Sequence, residues 1–372
     1  MTKKLLLTLS ILLSTIAFSQ NMSLSEKAKV SILTCGLGPE SYAMYGHTGI
    51  RIQDSLKGID VVYNYGAFDF STPNFIGKFV KGDLQYFVTN GSFIDFYYNY
   101  QAENREIIEQ EIQMNPAQMN LLFQQLNHSV YSDERFYTYK FIDRNCTTMV
   151  VDKINGILGK EYIKSDTSNQ TYREILYPYM TDFYMKLGIQ LIFGAKVDEP
   201  ATRLFLPYEF KEAISYTKVN GNAIEKSNKR ILEVSKTEVS FNWMNSIYSL
   251  IAILLALVLA NKKWIQISYF VFAGILGLFF SLVGCYSLHE EVLWNYNILL
   301  FNPLLLVFAW YLKKGIKEKI VLLGQIILAM LLLYLAYMTT KIHLEIVWPF
   351  IALHFYWIGK IVLQIKKSNL TR

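Results

Sequence analysis

The segment Tyr139–Leu158 reads YKFIDRNCTTMVVDKINGIL, and it places a cysteine at the point where a strand-like pattern gives way to a helical one. After Cys146, apolar residues recur at helical spacing: Met149, Val150, Val151, Ile154 and Ile157. The pattern predicts that Cys146 lies at the start of a helix, directly after Asn145. Unpaired N–H groups and the positive end of the helix dipole favour the thiolate form of a cysteine there. The position suits a nucleophile, and ordinary packing is the alternative.

The N-terminus has the pattern of a secretory signal peptide. Lys3 and Lys4 precede an apolar run from Leu5 to Ile16, which is short for a membrane span. We predict cleavage after Ser19, with a retained membrane anchor as the alternative. In either case the residues that follow are expected outside the cytoplasm.

Hydrophobic residues make up 52% of the 372-residue chain, and they are unevenly distributed. This distribution predicts five segments: 1–19 signal peptide, 20–218 extracytoplasmic globular domain, 219–240 polar linker, 241–365 membrane domain and 366–372 cytoplasmic tail. Part of the net charge of +6 comes from lysine clusters between the apolar spans. The charge therefore does not indicate a nucleic-acid partner.

The membrane domain is predicted to contain five transmembrane helices, at 242–260, 265–286, 297–312, 320–338 and 346–363. Lysines follow the first, third and fifth of these spans, which by the positive-inside rule places those ends in the cytoplasm. An odd number of spans then puts the globular domain outside, as the signal peptide also requires. The loops Ser287–Asn295 and Thr339–Glu345 are expected on the same side as that domain.

The globular domain mixes predicted strands and helices, which indicates an α+β fold. The strands are predicted at 29–34, 47–53, 60–66, 84–89, 105–112 and 136–142, and the helices near 74–80, 93–101, 116–131, 146–158 and 171–190. The aromatic runs YNYGAFDF and FIDFYYNY have two interpretations: they line an acyl channel or lie at the level of lipid headgroups, or they are ordinary sheet and core residues.

Two histidines lie in the globular domain. His128, near the end of a predicted helix, fits a surface residue. His47, in MYGHTGIRI, opens an alternating strand, where it can be held beside a helix start as a general base toward a thiol. The cysteines and histidines lack the paired spacing of a zinc site, so we predict neither a metal nor a cofactor.

Cys35 provides an alternative interpretation of Cys146. Exported proteins meet an oxidising compartment, so the two cysteines can instead form a disulfide. The sequence does not give their separation, and this alternative stays open. The polar neighbours of Cys146 favour an accessible thiol.

Two combinations of motifs resemble known families. YGHTGIRI followed by DRNCTTMV resembles the circularly permuted papain-like thiol enzymes of the NlpC and lecithin retinol acyltransferase type. Four stretches resemble the Lnb family, in which an exported domain precedes several membrane spans: SILTCGLGPESYAMYGHTGIRI, VVYNYGAFDFSTPNFIGKFVKGDLQYFV, FIDRNCTTMVVDKI and FGAKVDEPATRLFLPYEF. HEEVLWNYNILLFNPL resembles the membrane half of that family. The resemblance implies a permuted papain-like domain followed by a bundle of five transmembrane helices.

The resemblance to the Lnb family implies lipoprotein N-acylation. An acyl chain would pass from a membrane glycerolipid ester to the α-amino group of a lipidated N-terminal cysteine. The donor is a phospholipid or the lipoprotein's own diacylglyceryl group. The partners are then bacterial diacylated lipoproteins and membrane phospholipids, and the location is the inner membrane with the N-terminal domain in the periplasm.

The same resemblance implies Cys146 as the nucleophile and His47 as the base. Asn64, on the strand DVVYNYG, is predicted to orient the histidine ring, although acyltransferase-type relatives often have histidine in that role. Asp69 is the alternative third residue. Asn145 is a supporting residue, and His289, in the loop SLHEEVLWNYN, either binds a headgroup or assists the acceptor amine, or is an ordinary interface residue.

Two other function classes remain open from the sequence. A membrane-anchored cysteine peptidase or amidase acting on cell-wall peptide would use the same thiol and histidine without needing five spans. A non-enzymatic membrane scaffold would pair Cys35 with Cys146.

Overall fold

The alternating segments of the N-terminal half form one seven-stranded sheet, in which all neighbouring strands are antiparallel. The computed structural model describes residues 23–165, 169–235 and 241–370. The predicted signal peptide therefore lies outside the described residues. The mixed sheet-and-helix architecture confirms the expected combination of elements, and the papain-like relationship stays a prediction.

The strands agree with the predicted positions to within a few residues, except that the last predicted strand is shorter. They are β1 (Lys29–Cys35), β2 (His47–Asp54), β3 (Ile59–Ala67), β4 (Gln85–Ser92), β5 (Ile107–Ile112), β6 (Phe136–Thr138), β7 (Lys218–Val219), β8 (Asn222–Ala223) and β9 (Glu225–Leu232). The seven-stranded sheet has the order β6-β4-β3-β2-β1-β5-β9. The two shortest strands, β7 and β8, form a separate hairpin. β6 ends early because the chain turns at residues 140–144 to reach the helix that follows.

Helices pack on the sheet and beside it. They are α1 (Phe75–Lys81), α2 (Phe93–Ala102), α3 (Pro116–Tyr131), α4 (Cys146–Leu158), α5 (Tyr172–Leu176), α6 (Phe183–Ile192) and α7 (Pro207–Tyr216). The single helix predicted at 171–190 is divided into α5 and α6. Pro178, in a 3₁₀ turn between them, has no N–H to continue a helix, and Asp182 caps the start of α6 through Met185 N.

Successive residues of β1 contribute to two different cores. Val30 and Ile32 pack in a cluster with residues of α3 and α4, whereas Leu33 and Cys35 pack with Phe96 of α2. This division follows from the two-residue period of a strand. Cys35 therefore belongs to the face of the sheet opposite the core on which α4 packs.

Residues 219–240 differ from the predicted polar linker. The segment contains β9, which pairs with β5 along the sheet edge from Ile107↔Leu232 to Ile112↔Glu225. The charged side chains that suggested a linker face solvent from an edge strand. Backbone pairing holds this strand, and composition alone does not reveal it. Within the segment, residues 236–240 lie outside the described part of the chain.

The C-terminal half is helical: α8 (Ile247–Ala260), α9 (Lys263–Tyr286), α10 (Leu304–Lys314), α11 (Lys317–Met338) and α12 (Leu344–Leu370). In the described residues, four segments are long and apolar enough to cross a membrane: Lys263–Tyr286, Glu290–Lys314, Lys317–Met338 and Leu344–Ser368. The chain is thus a multi-pass membrane protein.

The prediction of five transmembrane helices is wrong on this criterion. The first predicted span, 242–260, begins with a 3₁₀ turn capped by Asn242, and α8 then has only 14 residues. That helix is about 21 Å long, against about 30 Å for the hydrocarbon core of a bilayer. The orientation argument that required an odd number of spans is therefore lost.

The loops after α9 and α11 lie against the sheet domain, as predicted. Gly194 N donates to Glu291 O at 2.7 Å, and Tyr177 Oη donates to Glu345 Oε1 at 2.6 Å. A side chain at Gly194 would place its Cβ 1.7 Å from Leu293 O, so only glycine allows this approach. These contacts fix the sheet domain on one end of the helix bundle.

Candidate active site

The start of α4 is held by Asn145, the predicted supporting residue. Its Oδ1 accepts from Thr147 N and Thr148 N, both at 2.9 Å, and Thr148 Oγ1 accepts from Asn145 N at 2.8 Å. This is a capping box. The side-chain nitrogen Nδ2 of Asn145 also donates to Phe141 O and Phe205 O, so both polar atoms of this buried side chain are hydrogen-bonded. Cys146 is consequently presented as the first residue of a fixed helix end.

The structure places the Cys146 thiol beside the His47 imidazole, so that the two groups interact through their charges and a hydrogen bond. Burial opposes ionisation of the thiol, but the charge and hydrogen bond of His47, with donation from the backbone of Thr48, outweigh it and lower the pKa of Cys146. Burial likewise opposes protonation of His47, yet the thiolate raises the pKa of His47. The pair therefore favours a thiolate beside an imidazolium.

Asn64, the predicted third residue, contacts the other side of the imidazole ring. The distance from His47 Nε2 to Asn64 Oδ1 is 3.0 Å. Because an amide oxygen only accepts, this contact places the proton on Nε2 and leaves Nδ1 for the thiol. The order is thus Cys146, His47, Asn64, with the ring held between nucleophile and amide.

Two other predicted residues lie elsewhere. Asp69 is occupied by its neighbour Ser71, whose N–H and hydroxyl donate to it at 2.8 and 2.7 Å. His289 Nε2 lies 2.8 Å from Phe79 O at the end of α1, and its Nδ1 lies 3.9 Å from Glu291 Oε2. The contact with Phe79 joins the loop after α9 to the sheet domain, whereas the contact with Glu291 lies within that loop. Among the described residues, neither Asp69 nor His289 contacts Cys146 or His47.

Cys35 and Cys146 are both free thiols in the structure. Cys35 is completely buried, and burial raises its pKa to about 12. Its side chain belongs to the opposite core of the sheet and hydrogen-bonds Tyr100. The geometry therefore separates an inert thiol from a half-buried thiol that has a base beside it.

Sequence reasoning missed three residues around the thiol. Thr48 Oγ1 and Thr147 Oγ1 lie 3.0 Å apart, and both side chains are buried, which joins the strand of His47 to the helix of Cys146. Burial raises the pKa of Tyr139, and the negative charge of Cys146 raises it further; both side chains pack against the same core. The sequence signal for Tyr139 is its alternation with Tyr137 directly before the turn at residues 140–144.

Within the described residues, no group of three or more His, Cys, Asp and Glu side chains is arranged to hold a metal ion.

Comparison with known proteins gives one match. Residues 17–177 match a family model described as the Lnb N-terminal periplasmic domain. No curated protein and no solved structure matches the chain. The matched segment contains Cys146, His47 and Asn64 and ends before the membrane helices begin.

Proposed function

We propose that this chain is a lipoprotein N-acyltransferase of the Lnb family with Cys146 as nucleophile, because residues 17–177 match the model of the Lnb N-terminal periplasmic domain. The observation that carries the proposal is the ordered contact from Cys146 to His47 to Asn64 at a helix start. A thiolate with an oriented base is the apparatus of covalent acyl transfer. The permuted papain-like relationship is part of the same proposal.

In the first half-reaction, the thiolate of Cys146 attacks the carbonyl carbon of a glycerolipid ester. A carbon–sulfur bond forms and the carbon–oxygen bond to the glycerol breaks, while His47 gives its proton to the leaving oxygen. The product is a thioester on Cys146 and a glycerolipid that has lost one acyl chain. The donor is a membrane phospholipid or the lipoprotein's own diacylglyceryl group.

In the second half-reaction, the α-amino group of the lipidated N-terminal cysteine attacks the thioester. The amide bond forms, His47 accepts a proton from the nitrogen, and the thiolate of Cys146 leaves. The first step leaves His47 neutral, and the second step restores the imidazolium and the thiolate. The acceptors are diacylated lipoproteins.

The helix start also supplies a donor for the oxyanion. Asn145 Oδ1 uses the N–H groups of Thr147 and Thr148. Within the described part of the chain, the N–H of Cys146 has no recorded acceptor. A free N–H at the nucleophile's own position can donate to the oxygen that becomes negative in the tetrahedral intermediate.

The membrane context favours lipid substrates over cell-wall peptide. The loop after α9 is bonded directly to the sheet domain, so the thiol is held at the end of the helix bundle. Lysines lie at the ends of α10, α11 and α12 that are opposite the sheet domain: Lys313, Lys314, Lys317 and Lys366. By the positive-inside rule this supports an inner-membrane protein with the sheet domain in the periplasm.

Mass spectrometry of lipoprotein N-terminal peptides tests the proposal. Cells that lack this protein are supplied with the wild type, Cys146→Ser, His47→Ala or the matched control Cys35→Ser. We expect an N-linked acyl chain with the wild type and with Cys35→Ser, and none with the other two. Equal N-acylation with Cys146→Ser would refute the thiol mechanism and favour the scaffold.

A further inference from the structure

Helix α1 exposes an apolar surface that the sheet domain leaves uncovered. None of the residues of Phe75–Lys81 is buried, and Ile76 is 76% exposed. Together with neighbouring exposed rings this surface forms what we call the α1 patch: Tyr42, Phe70, Ile76 and Phe79. Contiguous exposed apolar surface on an otherwise folded domain indicates a binding or membrane-contacting role.

The α1 patch is fixed at the level where a membrane helix ends. Three carbonyl oxygens from the last turn of α1 accept hydrogen bonds from the residues that directly follow α9: Val80 O from Ser287 Oγ at 3.0 Å, Lys81 O from Leu288 N at 2.7 Å and Phe79 O from His289 Nε2 at 2.8 Å. Because α9 ends at Tyr286, these bonds place the patch beside the membrane boundary.

The loop that holds α1 has the composition of a membrane interface. Tyr286, Leu288 and Trp294 are all exposed, and Trp294 is 85% exposed. Aromatic side chains are enriched where the hydrocarbon core meets the headgroups. Lys78, on α1 itself, adds a cation suited to lipid phosphates. The surroundings of the patch therefore suit a lipid surface as its partner.

From the patch, packed rings lead inward to the candidate nucleophile. We call these four rings the aromatic track: Phe70 to Phe68 at 4.9 Å between centroids, Phe68 to Tyr86 at 5.3 Å and Tyr86 to Tyr139 at 4.4 Å. At its inner end, a Cβ placed on Gly66 would lie 3.7 Å from Cys146 Cβ. Tyr139 and Cys146 pack against the same core. Packed rings thus lead from solvent to the core against which Cys146 packs.

We propose that the aromatic track binds the acyl chain of a membrane glycerolipid, with its outer end at the α1 patch in the bilayer interface and its inner end at Cys146. The proposal rests on the acyltransferase function, because it brings an ester carbonyl to the thiol. For one of the two aromatic runs, YNYGAFDF, which contains Phe68 and Phe70, the proposal selects the acyl channel over ordinary core packing. Burial of the chain against the rings supplies the binding free energy.

Photo-crosslinking in a lipid bilayer tests the site. The full chain with Cys146→Ser is placed in nanodiscs of phosphatidylethanolamine and phosphatidylglycerol that contain a phospholipid with a diazirine in its acyl chain. After illumination, we expect label on peptides covering residues 68–79. Because the serine variant does not turn over, labelling reports binding alone and is independent of whether the proposed transfer occurs.

The chain provides a matched control surface. Ile94 and Tyr98, on α2, are also exposed apolar residues of the sheet domain, but among the residues that the structure describes no hydrogen bond joins α2 to the loop after α9. Labelling of this surface should stay at background. Equal labelling of both surfaces, or no label at residues 68–79, would overturn the proposal. So would label confined to a cavity of about 70 Å³ whose lining includes Met44, Met180 and Met185.

Surface variants complete the test. Ile76→Gln with Phe79→Gln alters exposed side chains only, and we expect about tenfold less label and a similar loss of N-acylation, since two apolar contacts with lipid are removed. Ile94→Gln with Tyr98→Gln is the control and should change neither. Alkylation of Cys146 by a small water-soluble reagent should be normal in both variants, which separates a failure of the track from a failure of the thiol. Unchanged label in the α1 variant would refute the track.

Discussion

His47 Nε2 lies 3.0 Å from Asn64 Oδ1, and this contact orients the ring so that Nδ1 faces Cys146. We predict that Asn64→Ala lowers kcat of acyl transfer about 10- to 100-fold, less than His47→Ala, because the base remains but its ring is no longer held. KM should change little. Asn64→His, which can also accept from Nε2, should recover part of the activity. Full activity of Asn64→Ala would contradict the orienting role.

The pKa shifts predict selective alkylation of Cys146. Since its pKa is lowered, Cys146 should react with iodoacetamide at pH values below the pKa of an ordinary thiol, which is about 8.5. Cys35, with a pKa of about 12, should stay unmodified in the folded protein. In His47→Ala the positive charge beside the thiolate is lost, so the midpoint of the rate–pH profile should move upward. Peptide mass spectrometry resolves each site, and an unmoved midpoint would show that the thiol is not paired with His47.

Removal of the helix cap should destabilise the sheet domain. Asn145→Ala deletes the acceptor for two N–H groups and leaves two carbonyl oxygens without their donor, a loss of about 2 to 4 kcal/mol. Asn145→Asp keeps the cap but loses the donors, so its loss should be intermediate. Thermal unfolding of the full chain in detergent gives the comparison, and equal stability of both variants with the wild type would exclude the cap as a determinant.

Glycine at position 194 should be required for docking of the two halves. A Cβ there would overlap Leu293 O, so Gly194→Ala should displace the loop after α9 and expose both surfaces to protease. Gly188→Ala is the matched control, because it lies in α6 with nothing within 4 Å of the added carbon. Limited proteolysis should cleave the first variant faster and leave the second as resistant as the wild type. Equal resistance of Gly194→Ala would show that the loop adjusts.

The features predicted correctly are those that local physics determines. The start of α4 at Cys146 follows from an Asn cap before a helical apolar pattern, and the strand at His47 follows from alternation. Asn64 was proposed from the family resemblance, and its contact with His47 agrees with the alternation on β3. These signals extend over a few residues and need no knowledge of the rest of the chain.

The errors concern relationships between distant segments. The composition of 242–260 is mostly apolar, but the helix begins only at Ile247, after a capped turn. The sequence also does not show that the His289 ring lies beside Phe79 O, which is more than two hundred residues earlier in the chain. The role of β9 depends on a partner strand more than a hundred residues earlier in the chain.

The pairing of β9 with β5 has a consequence for biogenesis. The sheet domain is complete only when Leu232 has reached its place beside Ile107, and that residue is synthesised just before the first helix of the bundle. A chain cut after residue 218 would leave β5 as an unpaired edge, which is prone to join other strands. During export, the same open edge would persist until the last strand emerges, so the domain would close at nearly the moment the membrane helices start to insert.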